Sequence, residues 1–111
     1  MIPDYQTLML PLLKFVADKK EYKFREIVEG LALKFHVTDE ERKEILPSGA
    51  QSIFDNRVGW ARTYLKKAGL MEAPRRGIMK ITERGLSVLT QKPEVINVRF
   101  LKQLPTSTIF N

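Results

Sequence analysis

The sequence predicts a mainly α-helical fold with one small β-hairpin, and three observations carry that prediction. Apolar residues recur at helical spacing along several segments, most regularly at Phe54, Val58, Ala61, Leu65 and Ala68. Two short apolar-rich runs, Leu70-Met71-Glu72-Ala73 and Ile78-Met79-Lys80-Ile81, flank Pro74-Arg75-Arg76-Gly77, the pattern of a turn between paired strands. The chain has 111 residues, 43% hydrophobic and 29% charged, which suits one packed domain and argues against disorder.

The first helix is predicted from Tyr5, Leu8, Met9, Leu12, Leu13 and Val16, which share one face. Pro3 fits its first turn, whereas Pro11 is expected to kink it or to mark a later start. Asp18 to Glu21 ends it, and Tyr22-Lys23-Phe24 reads as an extended pair or edge strand. A second helix follows from Arg25, with Ile27, Val28, Leu31, Ala32 and Phe35 as its apolar face. Gly30 within it costs about 1 kcal/mol relative to Ala.

Thr38-Asp39-Glu40-Glu41 has the form of a capping box and opens a short helix that Pro47 and Gly49 are expected to close. The long helix over residues 54–68 comes next, with Gly69 at its C′ position. After the hairpin, Thr82 caps a last short helix whose buryable residues are Leu86, Val88 and Leu89. Pro93 separates this from a tail in which residues 95–101 fit a strand or a helix equally, and Thr106 to Asn111 resembles the start of a linker. Residues 1–93 are thus read as the domain and 94–111 as tail and linker. Three helices followed at once by a two-stranded ribbon is the order of a winged helix-turn-helix. There the last helix before the ribbon enters the DNA major groove, and the ribbon tip meets backbone or minor groove. A small α+β bundle with an incidental hairpin has the same order.

Composition narrows the function. Without cysteine there is no disulfide framework, Cys-based zinc site or thiol nucleophile. The single histidine, His36, excludes a two-histidine metal centre; it falls in a loop and is given no role. No apolar run approaches the roughly 20 residues of a membrane span, and the start is not that of a signal peptide, so a cytoplasmic protein without membrane contact is expected. The net charge is +6, and residues 42–80 alone carry nine basic and three acidic side chains. A concentrated basic region is the electrostatic footprint of a nucleic-acid binder, although a solvated lysine-rich surface has the same count.

On the long helix, the face opposite the apolar stripe carries Asn56, Trp60, Thr63 and Lys67, flanked by Arg57 and Tyr64 on one side and Gly59 and Lys66 on the other. Arg62 falls nearer the buried side. Asn, Arg, Lys and Thr side chains hydrogen-bond base edges or phosphates, and residues near a recognition helix's N-terminus reach bases best. Asn56 and Arg57 are therefore candidates for base readout, Thr63 for either contact, and Lys66, Lys67, Arg75 and Arg76 for phosphate. Lys66 and Lys67 also suit a solvated last turn that compensates the helix dipole. Trp60 is expected to pack against a neighbouring helix or the tail, with Gly59 allowing a close helix approach or leaving room for the indole.

No catalytic or metal-binding constellation is assigned. Asp4 with Glu21-Tyr22-Lys23 formally matches a magnesium nuclease string, and Glu41-Arg42-Lys43 repeats its spacing. Both lack the sheet such a site needs, since Asp4 begins a helix and Glu41 lies in a capped one.

The run Asn56-Arg57-Val58-Gly59-Trp60-Ala61, followed by Tyr64-Leu65-Lys66-Lys67-Ala68-Gly69-Leu70, resembles the N-terminal domain of Mrr-type restriction proteins. The likeness continues through Pro74-Arg75-Arg76-Gly77 and Ile81-Thr82-Glu83-Arg84-Gly85 and spans most of residues 3–93. It implies a winged-helix DNA-binding module joined by a linker to a C-terminal, magnesium-dependent nuclease domain of type IV restriction endonucleases, which cleave modified, typically methylated, foreign DNA. Double-stranded DNA is then the implied partner, and magnesium is expected only in a nuclease domain beyond this segment. A protein-contact or homodimerisation module using Trp60, Phe100 and Phe110 is the alternative.

Overall fold

The computed structural model describes residues 1–105. Helix α1 spans Tyr5–Phe15, strand β1 Tyr22–Lys23, helix α2 Phe24–Lys34 and helix α3 Asp39–Arg42. Then come helix α4 Ile53–Lys67, strands β2 Met71–Arg75 and β3 Ile78–Ile81, and helices α5 Glu83–Thr90 and α6 Val98–Lys102. The architecture is mainly helical with a small antiparallel sheet, as expected, and its element order is compatible with a winged helix.

Every described helix except α2 starts at a residue whose side chain accepts from a free backbone donor. Asp4 accepts from Thr7 N at 2.7 Å, Ser52 from Asp55 N at 3.1 Å and Thr82 from Gly85 N at 3.0 Å. Thr38 and Glu41 form the expected capping box, the two bonds measuring 3.1 and 2.9 Å. Gly69, with φ of +80°, ends α4 in the left-handed conformation that other residues adopt at a cost.

The core is built from the predicted stripes. Leu8, Met9, Leu12, Leu13 and Val16 of the first segment meet Phe54, Val58, Ala61 and Leu65 of α4, all without solvent exposure, and α1 packs chiefly on α4. Ile27, Val28, Leu31 and Ala32 close a third side. Gly30 earns its place through tertiary packing: an added Cβ would overlap the Phe15 ring, which leans on Tyr22 with centroids 5.0 Å apart.

The three-stranded sheet has the order β1-β3-β2, with Tyr22 opposite Met79 and Met71 opposite Ile81. The short extended pair at Tyr22 thus becomes an edge strand that ties the N-terminal half to the hairpin.

Several boundaries differ from expectation. Pro3 lies before α1, whose cap is Asp4, and α1 runs through Pro11 instead of starting after it. Burial of Leu8, Met9, Leu12 and Leu13 on both sides of Pro11 offsets the one backbone donor that proline lacks. The helix opened by Thr38 stops at Arg42, and Pro47 and Gly49 belong to a loop closed by an Ile45–Ser52 bridge. Pro74 and Arg75 are part of β2, at a register shift on an edge strand, where a missing N–H is tolerated. Beyond Pro93, residues 98–102 choose helix over strand, capped by Asn97. Ile96 and Leu101 of this segment are fully buried, and Val98 N donates to Gln6 Oε1 at 2.9 Å. The linker expected over residues 106–111, with Phe110, lies outside the described residues.

Candidate nucleic-acid interface

The outward face of α4 is held rigid from beneath. Its buried stripe fixes the helix rotation, so Asn56, Gly59, Trp60, Thr63 and Lys67 border one shallow groove together with Gln51 and Arg62. A second groove of about 500 Å³ runs between α4 and the hairpin, lined by Arg62, Thr63, Lys66, Lys67, Ala73, Arg76, Gly77 and Met79. No carboxylate lines either groove. The two share Arg62, Thr63 and Lys67 and so form one continuous surface, on which Arg62, Lys66, Lys67 and Arg76 stand among apolar lining.

The expected site residues fall on this surface in different ways. Thr63, Lys66, Lys67 and Arg76 border the helix–hairpin groove, with Lys66, Lys67 and Arg76 exposed. The Lys67 ammonium stands 6.0 Å from the Tyr64 ring centroid. Asn56 lies in the first groove, its amide Nδ2 3.4 Å from Gln51 Oε1. Arg75 is exposed but forms an ion pair with Glu21 at 2.6 Å. Arg57 turns the other way. Its Nη1 donates to the carbonyls of Ile2 and Pro3 at 2.9 and 3.3 Å, clamping the chain that leads into α1.

Two residues on this face depart from the sequence reading. Trp60, expected to pack inward, is 49% exposed and touches the Tyr64 ring at a centroid distance of 6.3 Å. The tail, one of its two expected partners, docks elsewhere, on α1 through Gln6. Gly59 is not needed to seat the indole, because a Cβ there would make ordinary contacts at 3.9 Å with Arg62 and Phe24. Arg62, read as nearer the buried side, is indeed partly buried, its guanidinium 4.5 Å from the Phe24 ring centroid, and it also borders both grooves. The missing signal was tertiary: Phe24 reaches α4 only because β1 and α2 fold beside it.

The carboxylates that matched the nuclease string are engaged separately. Asp4 caps α1, and the Thr7 backbone N–H holds its carboxyl below the usual range. Glu21 pairs with Arg75. Among the described residues no cluster of three His, Asp or Glu side chains is placed to hold a metal ion. No helix of the described residues is long and apolar enough to cross a membrane.

Residues 5–91 match the family of the Mrr N-terminal domain. That match covers α1 through α5, including the whole polar face. The chain belongs to the Mrr N-terminal domain family.

A relative from Escherichia coli strain K12, the type IV methyl-directed restriction enzyme EcoKMrr, is 32% identical over 94 residues. The aligned part is 84% of this chain and 31% of that enzyme, so the chain spans about a third of its relative's length. No solved structure matches the chain. Its described residues place the basic excess of 42–80 mainly on α4 and the hairpin.

Proposed function

We propose that this Mrr N-terminal domain binds duplex DNA as the target-recognition module of a type IV restriction endonuclease. In this reading α4 enters the major groove, and the β2–β3 tip meets backbone or minor groove. The observation that carries it is the groove between α4 and the hairpin, where Arg62, Lys66, Lys67 and Arg76 converge with no carboxylate on the lining. Such a surface attracts a polyanion and repels nothing in it. Asn56, Gln51 and Thr63 supply the short polar groups that read base edges, and Trp60 supplies an apolar surface suited to a methyl group in the major groove. The methyl-directed activity of the Escherichia coli relative supports modified DNA as the target. Cleavage, with its magnesium, is assigned to a domain outside this segment, because Asp4 and Glu21 already serve a helix cap and an ion pair.

Titrating the domain with duplex DNA at several salt concentrations tests this reading. Contact with about four phosphates gives a slope of log affinity against log salt near −3.6, and Arg75→Ala with Arg76→Ala flattens it by about one to two units. Binding indifferent to salt and to the double substitution overturns the wing assignment.

A further inference from the structure

Among the described residues Arg42, Arg57, Arg62 and Arg84 are the partly buried arginines. Arg42 pairs with Glu29 at 2.6 Å, Arg57 donates to the Ile2 and Pro3 carbonyls, and Arg84 donates to the Pro105 carbonyl. Arg62 has the Phe24 ring and nothing else: no carboxylate, and no acceptor for any of its five N–H donors among the described residues. A guanidinium stays charged at any physiological pH, so a cation is being drawn out of water without a counter-charge. Burial alone accounts for its lowered affinity for its proton, with no carboxylate pulling the other way.

The position of this charge gives it a use. Arg62 lies at the seam of the two grooves, with Trp60 and Asn56 on one side and Lys66 and Arg76 on the other. The ring beneath restrains a side chain that otherwise loses much rotamer freedom on binding. What remains free is a fork of donors matched in shape to two phosphate oxygens.

We propose that Arg62 is the phosphate anchor of this face, its guanidinium laid over Phe24 to take a backbone phosphate of duplex DNA that spans both grooves. The inference rests on the DNA-binding reading and deepens it. Lys66, Lys67 and Arg76 add mobile charge around the duplex, whereas Arg62 fixes its register against α4.

The discriminating variant is Arg62→Met, which keeps an unbranched apolar stem against Phe24 and removes charge and donors. Duplex affinity at fixed salt is expected to fall about tenfold or more, the range of a lost hydrogen bond to a charged group. The salt slope is expected to flatten by about 0.9, one phosphate's share. The thermal midpoint should hold or rise, because an unpaired, partly buried cation has gone. Arg62→Lys, with charge but no fork, should fall between wild type and Arg62→Met. A purely structural Arg62 predicts the opposite pattern, a lower midpoint with an unchanged salt slope, and that result overturns the inference. Wild-type binding matched by Arg62→Met in affinity and slope also removes the anchor while leaving DNA binding intact. A wild-type domain that binds no duplex overturns the DNA-binding reading, and the anchor with it.

Discussion

Gly85 packs against the carbonyl of Leu70 so closely that a Cβ at Gly85 would overlap that oxygen and Cγ1 of Ile81. The same corner is tied by Thr82, whose Oγ1 donates to the Gly69 carbonyl at 2.6 Å and accepts from Gly85 N at 3.0 Å. The end of α4, the hairpin and the start of α5 therefore meet at one point, and the hairpin's direction from α4 depends on it.

Gly85→Ala is expected to destabilise the domain by about 2 kcal/mol, although Ala is the better helix former by about 1 kcal/mol. The midpoint of thermal unfolding should drop by roughly 10 °C. A midpoint equal to wild type would show that α5 does not press on Leu70 in solution.

Arg57→Ala should cost about 1–2 kcal/mol, because the carbonyls of Ile2 and Pro3 lose their donor. Denaturant titration measures the loss. Arg57→Lys should recover only part of it, since one ammonium replaces a guanidinium that bridges two carbonyls. An Arg57→Ala domain with wild-type stability would return this residue to the list of base readers.

Trp60→Ala should change stability by less than about 1 kcal/mol, because the half-exposed indole lies off the core. If the domain binds methylated duplex as proposed, the effect is expected on recognition: the preference over unmodified duplex should shrink, with the salt slope unchanged. Competition binding with paired duplexes measures it. Equal loss on both duplexes would make Trp60 a general contact, and dissociation of a dimer would move it to a protein interface.

Acid should destabilise the fold in a predictable way. The Thr7 backbone N–H holds the Asp4 carboxyl below its usual range, and hydrogen bonds from Arg42 and Tyr22 do the same for Glu29 and Asp18. Carboxylates depressed in the folded state bind protons more readily when unfolded. Their stabilisation is therefore complete above the unfolded value near pH 4 and is lost as pH falls through the lower folded values. Asp4→Asn keeps an acceptor for Thr7 N but cannot titrate, so its thermal midpoint should fall less steeply than wild type's below about pH 4. Parallel curves would show that Asp4 does not contribute.

Much of the fold was legible because it is written in local periodicity. The stripe from Phe54 to Leu65, the stripe from Tyr5 to Val16 and the Thr38 capping box each depend on residues three or four apart, and all hold in the structure. A helix start after Pro11 fails because proline's local penalty is visible in sequence, whereas the burial of Leu8, Met9, Leu12 and Leu13 around it is not. Among the candidate site residues, the exposed cations Lys66, Lys67 and Arg76 could be read from helix phase and turn position. Arg57 and Arg62 could not, because each is defined by a partner far along the chain, Ile2 and Pro3 for one and Phe24 for the other.

The sequence by itself determined the first five helices, the hairpin, the basic segment 42–80 and the likeness to the Mrr N-terminal domain. These follow from spacing and composition, which act within a few residues. Only the tertiary structure decided which cations face the same groove, that Trp60 points outward, that Gly30 sits against the Phe15 ring and that Gly85 is demanded by packing. The physical reason is that charge and burial are properties of what surrounds a side chain. For Arg62 that surrounding is a ring from α2, brought to α4 by a core built of residues from both ends of the domain.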